Sequence, residues 1–175
     1  FPDDLVALSS GTILEFQVFL SLAPLLAADM SRPFSNLLTC SDASTSFGFG
    51  VSEASCSPST IDLLSNKSER SGHYLEILDP DPGARDQRRK GVPIRLPLHK
   101  RNFKDVLCIK AKAIRHSGRM EAHAVLLMVQ WLLRSVARHS QRHIVGIDAT
   151  AVLAAVLKGR SSGPSLRPTV RSIAA

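Results

Sequence analysis

The chain of 175 residues carries 22 lysines and arginines against 15 aspartates and glutamates, which gives it a formal net charge of +7. Hydrophobic residues make up 44% of it, enough to bury a core, so the composition excludes a wholly disordered chain. The positive charge favours a polyanionic partner such as nucleic acid or a membrane surface, although an ordinary basic domain fits the charge equally well.

The three cysteines, Cys40, Cys56 and Cys108, are widely spaced and odd in number. They form no CxxC pair and have no histidine at zinc-finger spacing, so the sequence predicts reduced, buried thiols. The first residues, from Phe1 to Asp4, include no basic segment and are unlike a signal peptide. We therefore expect an intracellular protein, cytoplasmic or nuclear and not secreted, cut from a longer chain.

The first predicted element is a helix within an apolar stretch over residues 13–28. Thr12 is expected to cap this helix, which would extend to Met30 with a kink or an end at Pro24. The stretch contains polar side chains and is shorter than the ~20 residues that a bilayer requires. The sequence therefore predicts a packed helix and no membrane contact.

Two strand-like segments follow, over residues 36–42 and 47–53, and predict a hairpin with Asp42 at the end of its first strand. Gly48 and Gly50 lie in the second strand, where glycine allows another backbone or a ligand to approach closely. Asp42 is therefore the first candidate functional residue.

The middle of the chain, residues 55–104, is the least regular part and contains one amphipathic stretch over residues 61–78. From Arg85 to Lys104, eight lysines and arginines accompany a single acid. This basic segment is expected to be poorly ordered on the surface, either as a solvated loop or in contact with a phosphate backbone. Another strand is predicted over residues 106–111.

The clearest helix is predicted over residues 120–138, because apolar residues recur three and four positions apart. Glu121 lies four residues before Val125, which places its carboxylate on the apolar face one turn from the start of the helix. An acid on that face needs a partner or a cation.

The remaining elements surround a third acid. A short buried strand over residues 144–147 ends at Asp148. A second helix over residues 150–158 is expected to close at Gly159, and a further helix is predicted over residues 166–175.

The three acids suggest a shared metal site. Converging carboxylates would repel one another and raise each other's pKa values unless a cation neutralised them. Oxygen ligands without thiolates or imidazoles favour Mg²⁺ or Mn²⁺ over zinc. A site for two ions requires the carboxyl carbons of Asp42, Glu121 and Asp148 to lie within about 10 Å of each other.

Each acid also has a simpler structural explanation. Asp42 can be a turn acid, Asp148 the N-cap of the next helix, and Glu121 a residue that favours the positive end of its helix dipole. A nucleophilic triad of serine or cysteine with histidine and aspartate lacks any supporting GxSxG context.

Three motifs carry these acids. Residues 41–51 are similar to the pattern DAS…G.G, residues 120–134 to E..A…W.LR, and residues 147–162 to DS..VL…KGRSS. In this order the motifs resemble ribonuclease H domains of retroelement reverse transcriptase polyproteins, of the DIRS-like or a related LTR type. Residues 22–33 resemble the linker from the reverse transcriptase, and residues 69–74 resemble a long connection of that family, so the likeness covers most of the chain.

The resemblance implies an α/β fold with a ribonuclease H-like mixed sheet, in which antiparallel hairpin strands are joined by a parallel fourth strand and packed helices. Residues 1–35 would form a helical linker. Residues 36–175 would form the ribonuclease H-like domain, with a long basic insertion at about 55–104.

The function implied by the resemblance is metal-dependent endonucleolytic cleavage of the RNA strand of RNA–DNA hybrids during reverse transcription. The partners would be the hybrid and the reverse transcriptase portion of the same polyprotein. Asp42, Glu121 and Asp148 would be the catalytic residues and would hold two Mg²⁺ or Mn²⁺ ions. Contacts with the nucleic acid are expected from Arg88, Arg89, Lys90, Lys100, Arg101, Lys158 and Arg160.

The sequence departs from the family pattern in three places. His116, Ser117 and Gly118 stand where the family has HIN, and Ala149 stands where serine is usual. No Asp, Glu or His follows Asp148, so the fourth acid and the C-terminal strand–helix unit of the family are missing. From this we expect a weak second ion, slow hybrid cleavage, and one uncovered sheet face that promotes aggregation.

Two alternatives stay open at this point. A decayed, non-catalytic remnant of a retroelement polyprotein would only bind nucleic acid. A related DNA nuclease or integrase-like enzyme would cut DNA with the same fold. A hybrid-cleavage assay with and without Mg²⁺ distinguishes them, because a pure binder never cuts.

Overall fold

The computed structural model describes residues 7–22, 29–67, 74–78, 92–113 and 115–174. The chain divides into two compact units, one ending at Arg32 and the other beginning at Pro33. The described helices are α1 (Ser10–Leu22), α2 (Pro58–Ser65), α3 (Ser117–Leu133), α4 (Thr150–Leu157) and α5 (Arg167–Ala174), with 3-10 turns at Lys100–Asn102 and Val136–Arg138. The described strands are β1 (Phe34–Ala43), β2 (Gly48–Ser55), β3 (Tyr74–Glu76), β4 (Pro93–Arg95), β5 (Phe103–Lys110) and β6 (Arg142–Ile147).

The first unit contains α1, whose cap differs from the prediction. The hydroxyl of Ser9 accepts a hydrogen bond from the backbone N–H of Thr12 at 3.2 Å, so Ser9 caps the helix. Met30 lies in a turn, so the predicted extension of the helix to this residue is wrong, while Pro24 lies outside the described residues. The large apolar side chains of α1, from Ile13 to Leu20, are exposed, which contradicts the expected packed helix. No described helix combines the length and apolar character that a bilayer crossing demands.

The second unit is built on a mixed four-stranded sheet with the strand order β5-β2-β1-β6. Strands β1 and β2 form an antiparallel hairpin, and β5 pairs antiparallel with the other edge of β2. Strand β6 lies parallel to β1. The predicted α/β class, with antiparallel hairpin strands and a parallel fourth strand, is therefore confirmed.

Two glycines are required by close contacts within this sheet. A Cβ at Gly48 would clash with the backbone oxygen of Ile109 on β5, which confirms the close approach predicted there. At Gly50 an added Cβ would meet nothing within 4 Å, so that position is open. On β6, a Cβ at Gly146 would lie 2.7 Å from the Sγ of Cys40 on β1, a constraint that the sequence analysis missed.

One face of the sheet is covered by α3 and α4, and α5 packs against these two helices. Val51 of β2 packs in a core with Val125 and Met128 of α3 and with Val152 of α4. Met128 is 0% exposed, so α3 is the central helix of this layer. The regularly spaced apolar residues from which the helix was predicted are therefore the ones that α3 buries against the sheet.

The opposite face is also covered. Leu38 of β1 and Ala54 of β2 pack against residues of α2, β4 and the segment after β4. This cover comes from the amphipathic stretch over residues 61–78 and from the basic segment that was expected to be poorly ordered on the surface, so the predicted uncovered sheet face is wrong for the described residues. The apolar contributors from these two segments are Ile61, Leu64, Ile94, Leu96 and Leu98.

Several element boundaries differ from the predictions. The amphipathic stretch over residues 61–78 is divided between α2 and β3. Helix α3 begins three residues before Met120, where the ring of His116 accepts a hydrogen bond from the backbone of Gly118. It ends at Leu133, before the 3-10 turn Val136–Arg138.

The cysteines are free thiols with three different environments. Cys56 is buried, Cys40 is partly buried and Cys108 is exposed, so burial of all three was an incorrect expectation. Burial raises the pKa of the Cys40 thiol to about 11, which keeps this thiol protonated and unreactive near neutral pH.

Candidate metal centre

Asp42 is the penultimate residue of β1 and pairs with Gly50 of β2. Its Oδ1 accepts a hydrogen bond from the backbone N–H of Ala43 at 2.8 Å, which orients the carboxylate at the end of the strand. The side chain is exposed, so it is accessible to a ligand from solvent.

Asp148 is brought to the same edge by the parallel pairing of β1 and β6. Ser41 is paired with Ile147, and the two acids are the next residues along each strand. Parallel strands end on the same edge of a sheet, so adjacent strand ends place Asp42 and Asp148 side by side. Ala149, not Asp148, occupies the N-cap position of α4, and it makes no side-chain capping bond. The simple capping explanation for Asp148 is therefore wrong.

Glu121 approaches the two aspartates from α3, which packs across β1. Because the helix begins at Ser117, Glu121 is its fifth residue and lies beyond the first turn. The helix dipole acts mainly within the first turn, so it does not explain an acid at this position.

The three acids converge. One carboxylate oxygen from each of Asp42, Glu121 and Asp148 can be chosen so that all lie within 4.8 Å of one another. The predicted convergence is therefore observed in the structure, on three elements that are far apart in the sequence.

The electrostatics of this cluster are concentrated on Glu121. Burial, and to a smaller extent the charges of Asp148 and Asp42, together raise the pKa of its carboxyl from 4.5 to about 7. A hydrogen bond from the backbone of Ala43 partly opposes these effects. The half-buried acid is thus poised between neutral and charged forms near neutral pH, and a bound cation would favour the charged form.

The donor set fits a hard divalent cation. It consists of carboxylates alone, and carboxylate oxygens suit Mg²⁺, Mn²⁺ or Ca²⁺ better than zinc, which prefers thiolate and imidazole ligands. Exposed Asp42 and Asp148 leave room for water and for a substrate oxygen on the ion. Such an ion can activate water and neutralise charge on a phosphoryl oxygen.

The predicted nucleic-acid contacts fall on separate elements. Lys100 and Arg101 lie exposed in the 3-10 turn that precedes β5. Lys158 is the C-cap of α4. Arg160 is exposed beyond it and lines a pocket with residues of α5. The predicted contacts Arg88, Arg89 and Lys90 lie outside the described residues.

A basic pocket near Glu121 was missed by the sequence analysis. It has a volume of about 390 Å³ and lies between the end of β5 and the first half of α3. The rings of Phe49 and His123 meet edge to face in its wall, with centroids 4.9 Å apart. Its cationic lining residues are Lys110, Lys112, Arg115 and Arg119. The dense basic pattern from residue 110 to 119 was the sequence feature from which this pocket could have been predicted.

A second missed feature joins α3 to the sheet. The carboxylate of Glu53 on β2 accepts hydrogen bonds from the indole N–H of Trp131 at 3.0 Å and from Arg138 at 2.9 and 3.2 Å. The guanidinium of Arg138 also lies 5.5 Å from the centre of the Trp131 ring. This largely buried cluster holds the end of α3 in place, and thereby helps to fix Glu121 at the other end.

Comparisons with protein-family models, with curated proteins and with solved structures find no match to this chain. The function must therefore be inferred from the residues and their geometry. The central observation is a cluster of three carboxylates on a basic protein, with a cation-lined pocket on the same helix as one of them.

Proposed function

We propose that this chain is a divalent-metal-dependent nuclease of the ribonuclease H type, which cleaves the RNA strand of RNA–DNA hybrids. The observation that carries the proposal is the convergence of the Asp42, Glu121 and Asp148 carboxylates at one edge of the sheet. Their positions at the end of β1, within α3 and after β6 agree with the order of the three motifs that resemble retroelement ribonuclease H domains. The proposed cellular context is reverse transcription of a retroelement, with the reverse transcriptase portion of the same polyprotein as partner.

The ligands for the ion would be the three carboxylates, and the proposed ion is Mg²⁺, with Mn²⁺ as a substitute. Bound there, the cation would supply an activated water and neutralise charge on the scissile phosphate. Glu121 approaches from the helix and the aspartates from the strand ends, so the protein presents oxygens from two directions. Three carboxylates hold one ion well, and a second ion would bind more weakly.

The basic surface would position the nucleic acid. Cationic side chains around the pocket at the first half of α3 would contact phosphates beside the acidic cluster. Selection of a hybrid over duplex DNA would depend on the 2′-hydroxyls and the shape of the duplex. These contacts orient the substrate but do not carry sequence information.

Cleavage assays test this proposal directly. Wild-type protein should cut the RNA strand of a labelled hybrid with Mg²⁺ and leave it intact with EDTA. The variants Asp42→Asn, Glu121→Gln and Asp148→Asn should each lose activity by about 100-fold or more. The matched control is Asp62→Asn, an exposed acid of α2 that should leave the rate unchanged.

The same assay separates the alternatives. Binding without any metal-dependent cutting would identify a non-catalytic nucleic-acid-binding protein. Cutting of duplex DNA in preference to the hybrid would identify a DNA nuclease. Activity that survives all three acid substitutions would overturn the proposed site.

A further inference from the structure

A second basic pocket lies at the far end of α4. Its volume is about 280 Å³, and it is enclosed by the turn after α4 and the face of α5. Val170, which is 1% exposed, forms part of its lining. The charged residues that line it are Arg160, Arg167 and Arg171.

Arg160 is placed there by a specific helix termination. The backbone N–H of Arg160 bonds to the carbonyl of Ala155 at 3.1 Å, and that of Gly159 bonds to the carbonyl of Val156 at 3.0 Å. Gly159 has φ +61°, the left-handed conformation that such a C-terminal motif requires. The backbone that carries Arg160 is therefore fixed, and Arg160 lines the pocket together with residues of α5.

The other two arginines lie one turn apart on α5. The side chain of Arg167 donates hydrogen bonds to the carbonyls of Ser161 and Ser162, each at 3.3 Å, which ties the turn to the helix. Like charges four residues apart on a helix repel each other and destabilise it by a few tenths of a kcal/mol. A bound anion between Arg167 and Arg171 would remove that repulsion.

No acid among the described residues compensates these charges. The chain has no Asp or Glu after Asp148. In the part of the chain that the structure describes, none of the three arginines forms an ion pair with a carboxylate. Three arginines that line one pocket without a carboxylate match the chemistry that phosphate recognition uses, because each guanidinium offers several donors in a plane.

We propose that Arg160, Arg167 and Arg171 form a binding site for a phosphate group of a nucleic-acid strand. The preference for phosphate follows from the charges and donors of the pocket. The assignment of that phosphate to a nucleic-acid strand rests on the proposed nuclease function.

The position of this pocket relative to the acidic cluster supports the strand assignment. Asp148 precedes α4 and the arginine pocket follows it. The eight residues of the helix separate the two sites by about 12 Å along its axis. A duplex strand covers that distance with three or four nucleotides at about 3.4 Å each. The pocket would thus hold the strand a few phosphates from the cleavage point.

The first test uses inorganic phosphate as the probe. Thermal unfolding of the wild type should shift to higher temperature in phosphate relative to chloride at equal ionic strength. The variants Arg160→Gln and Arg171→Gln should lose this shift, whereas the single-charge control Lys67→Gln should keep it. Neither substituted arginine makes a side-chain hydrogen bond within the described residues, so both variants should fold. An equal phosphate shift in all four proteins would overturn the site.

The second test uses an RNA–DNA hybrid without divalent metal, so that binding is measured apart from cleavage. Loss of one phosphate contact should reduce the slope of log affinity against log salt by about 1 in Arg160→Gln and Arg171→Gln. Phosphate stabilisation with an unchanged slope would overturn the assignment to a strand. Failure of the nuclease proposal has a different signature, since an uncut hybrid would still show the slope change.

Discussion

The variant Glu121→Gln tests the electrostatics of the acidic cluster, because it removes one negative charge while keeping the size and shape of the side chain. Burial and the two neighbouring aspartates raise the pKa of Glu121 to about 7. In metal-free protein at pH 8 this carboxyl is ionised next to two other carboxylates, without a cation to neutralise them. We therefore expect the glutamine variant to be more stable than the wild type at pH 8.

The magnitude follows from the shift of the pKa from 4.5 to about 7. At about 1.4 kcal/mol per pKa unit this is an upper bound of about 3 kcal/mol, which solvent screening reduces to about 1–2 kcal/mol. A raised pKa means that the folded state binds more protons than the unfolded state between these pH values. The free energy of unfolding of the metal-free wild type should therefore fall as pH rises from about 4.5 to about 7, and then level off.

The assay is urea unfolding at pH 5, 6, 7 and 8, with EDTA or with excess Mg²⁺. In EDTA, the difference in free energy of unfolding between Glu121→Gln and the wild type should increase as the pH rises. In Mg²⁺ this difference should shrink or reverse, because the ion binds the ionised carboxylates of the wild type. Asp62→Asn controls for loss of a negative charge elsewhere on the protein. Parallel pH profiles for the variant and wild type in EDTA would refute the reasoning about Glu121.

Three further substitutions test the scaffold by urea unfolding. Glu53→Gln leaves Arg138 without its carboxylate in a largely buried cluster, and should lower the free energy of unfolding by about 2 kcal/mol. Met128→Ala removes a fully buried side chain of α3 and should cost about 2–5 kcal/mol. Gly48→Ala forces β2 away from β5 and should cost at least about 1 kcal/mol. An unchanged unfolding midpoint would contradict the packing assigned to that residue.

The acidic site could be predicted because its determinants are local. Asp42 lies at the end of β1, Asp148 directly follows β6, and the period of α3 places Glu121 on the buried face of the helix. Parallel pairing of β1 with β6 is then sufficient to bring the two aspartates together. The individual strands were predicted for the same reason, since alternation and turn residues are readable over a few positions, whereas their arrangement in a mixed sheet was implied by the family resemblance.

The cover on the second sheet face could not be predicted by the same route. Ile94, Leu96 and Leu98 alternate with other residues at the period of a strand, but the surrounding lysines and arginines suggested a solvated loop. The high density of lysines and arginines in this segment favoured the prediction of a loop, although the alternation of its apolar residues was the better indicator of burial. The contacts of Glu53 with Arg138 span 85 residues, and no local pattern encodes such a pair.

The charge distribution links metal binding to substrate binding. The protein is basic overall, yet the proposed cleavage point carries three carboxylates that would repel a phosphodiester. Cations around the pocket at the first half of α3 would attract the proposed strand, but they would not cancel the charge at Asp42, Glu121 and Asp148. A divalent ion held by the three carboxylates would remove this repulsion, and a phosphate would offer that ion further oxygen donors. Because binding free energies are reciprocal, Mg²⁺ should tighten hybrid binding by the same factor by which the hybrid tightens Mg²⁺ binding.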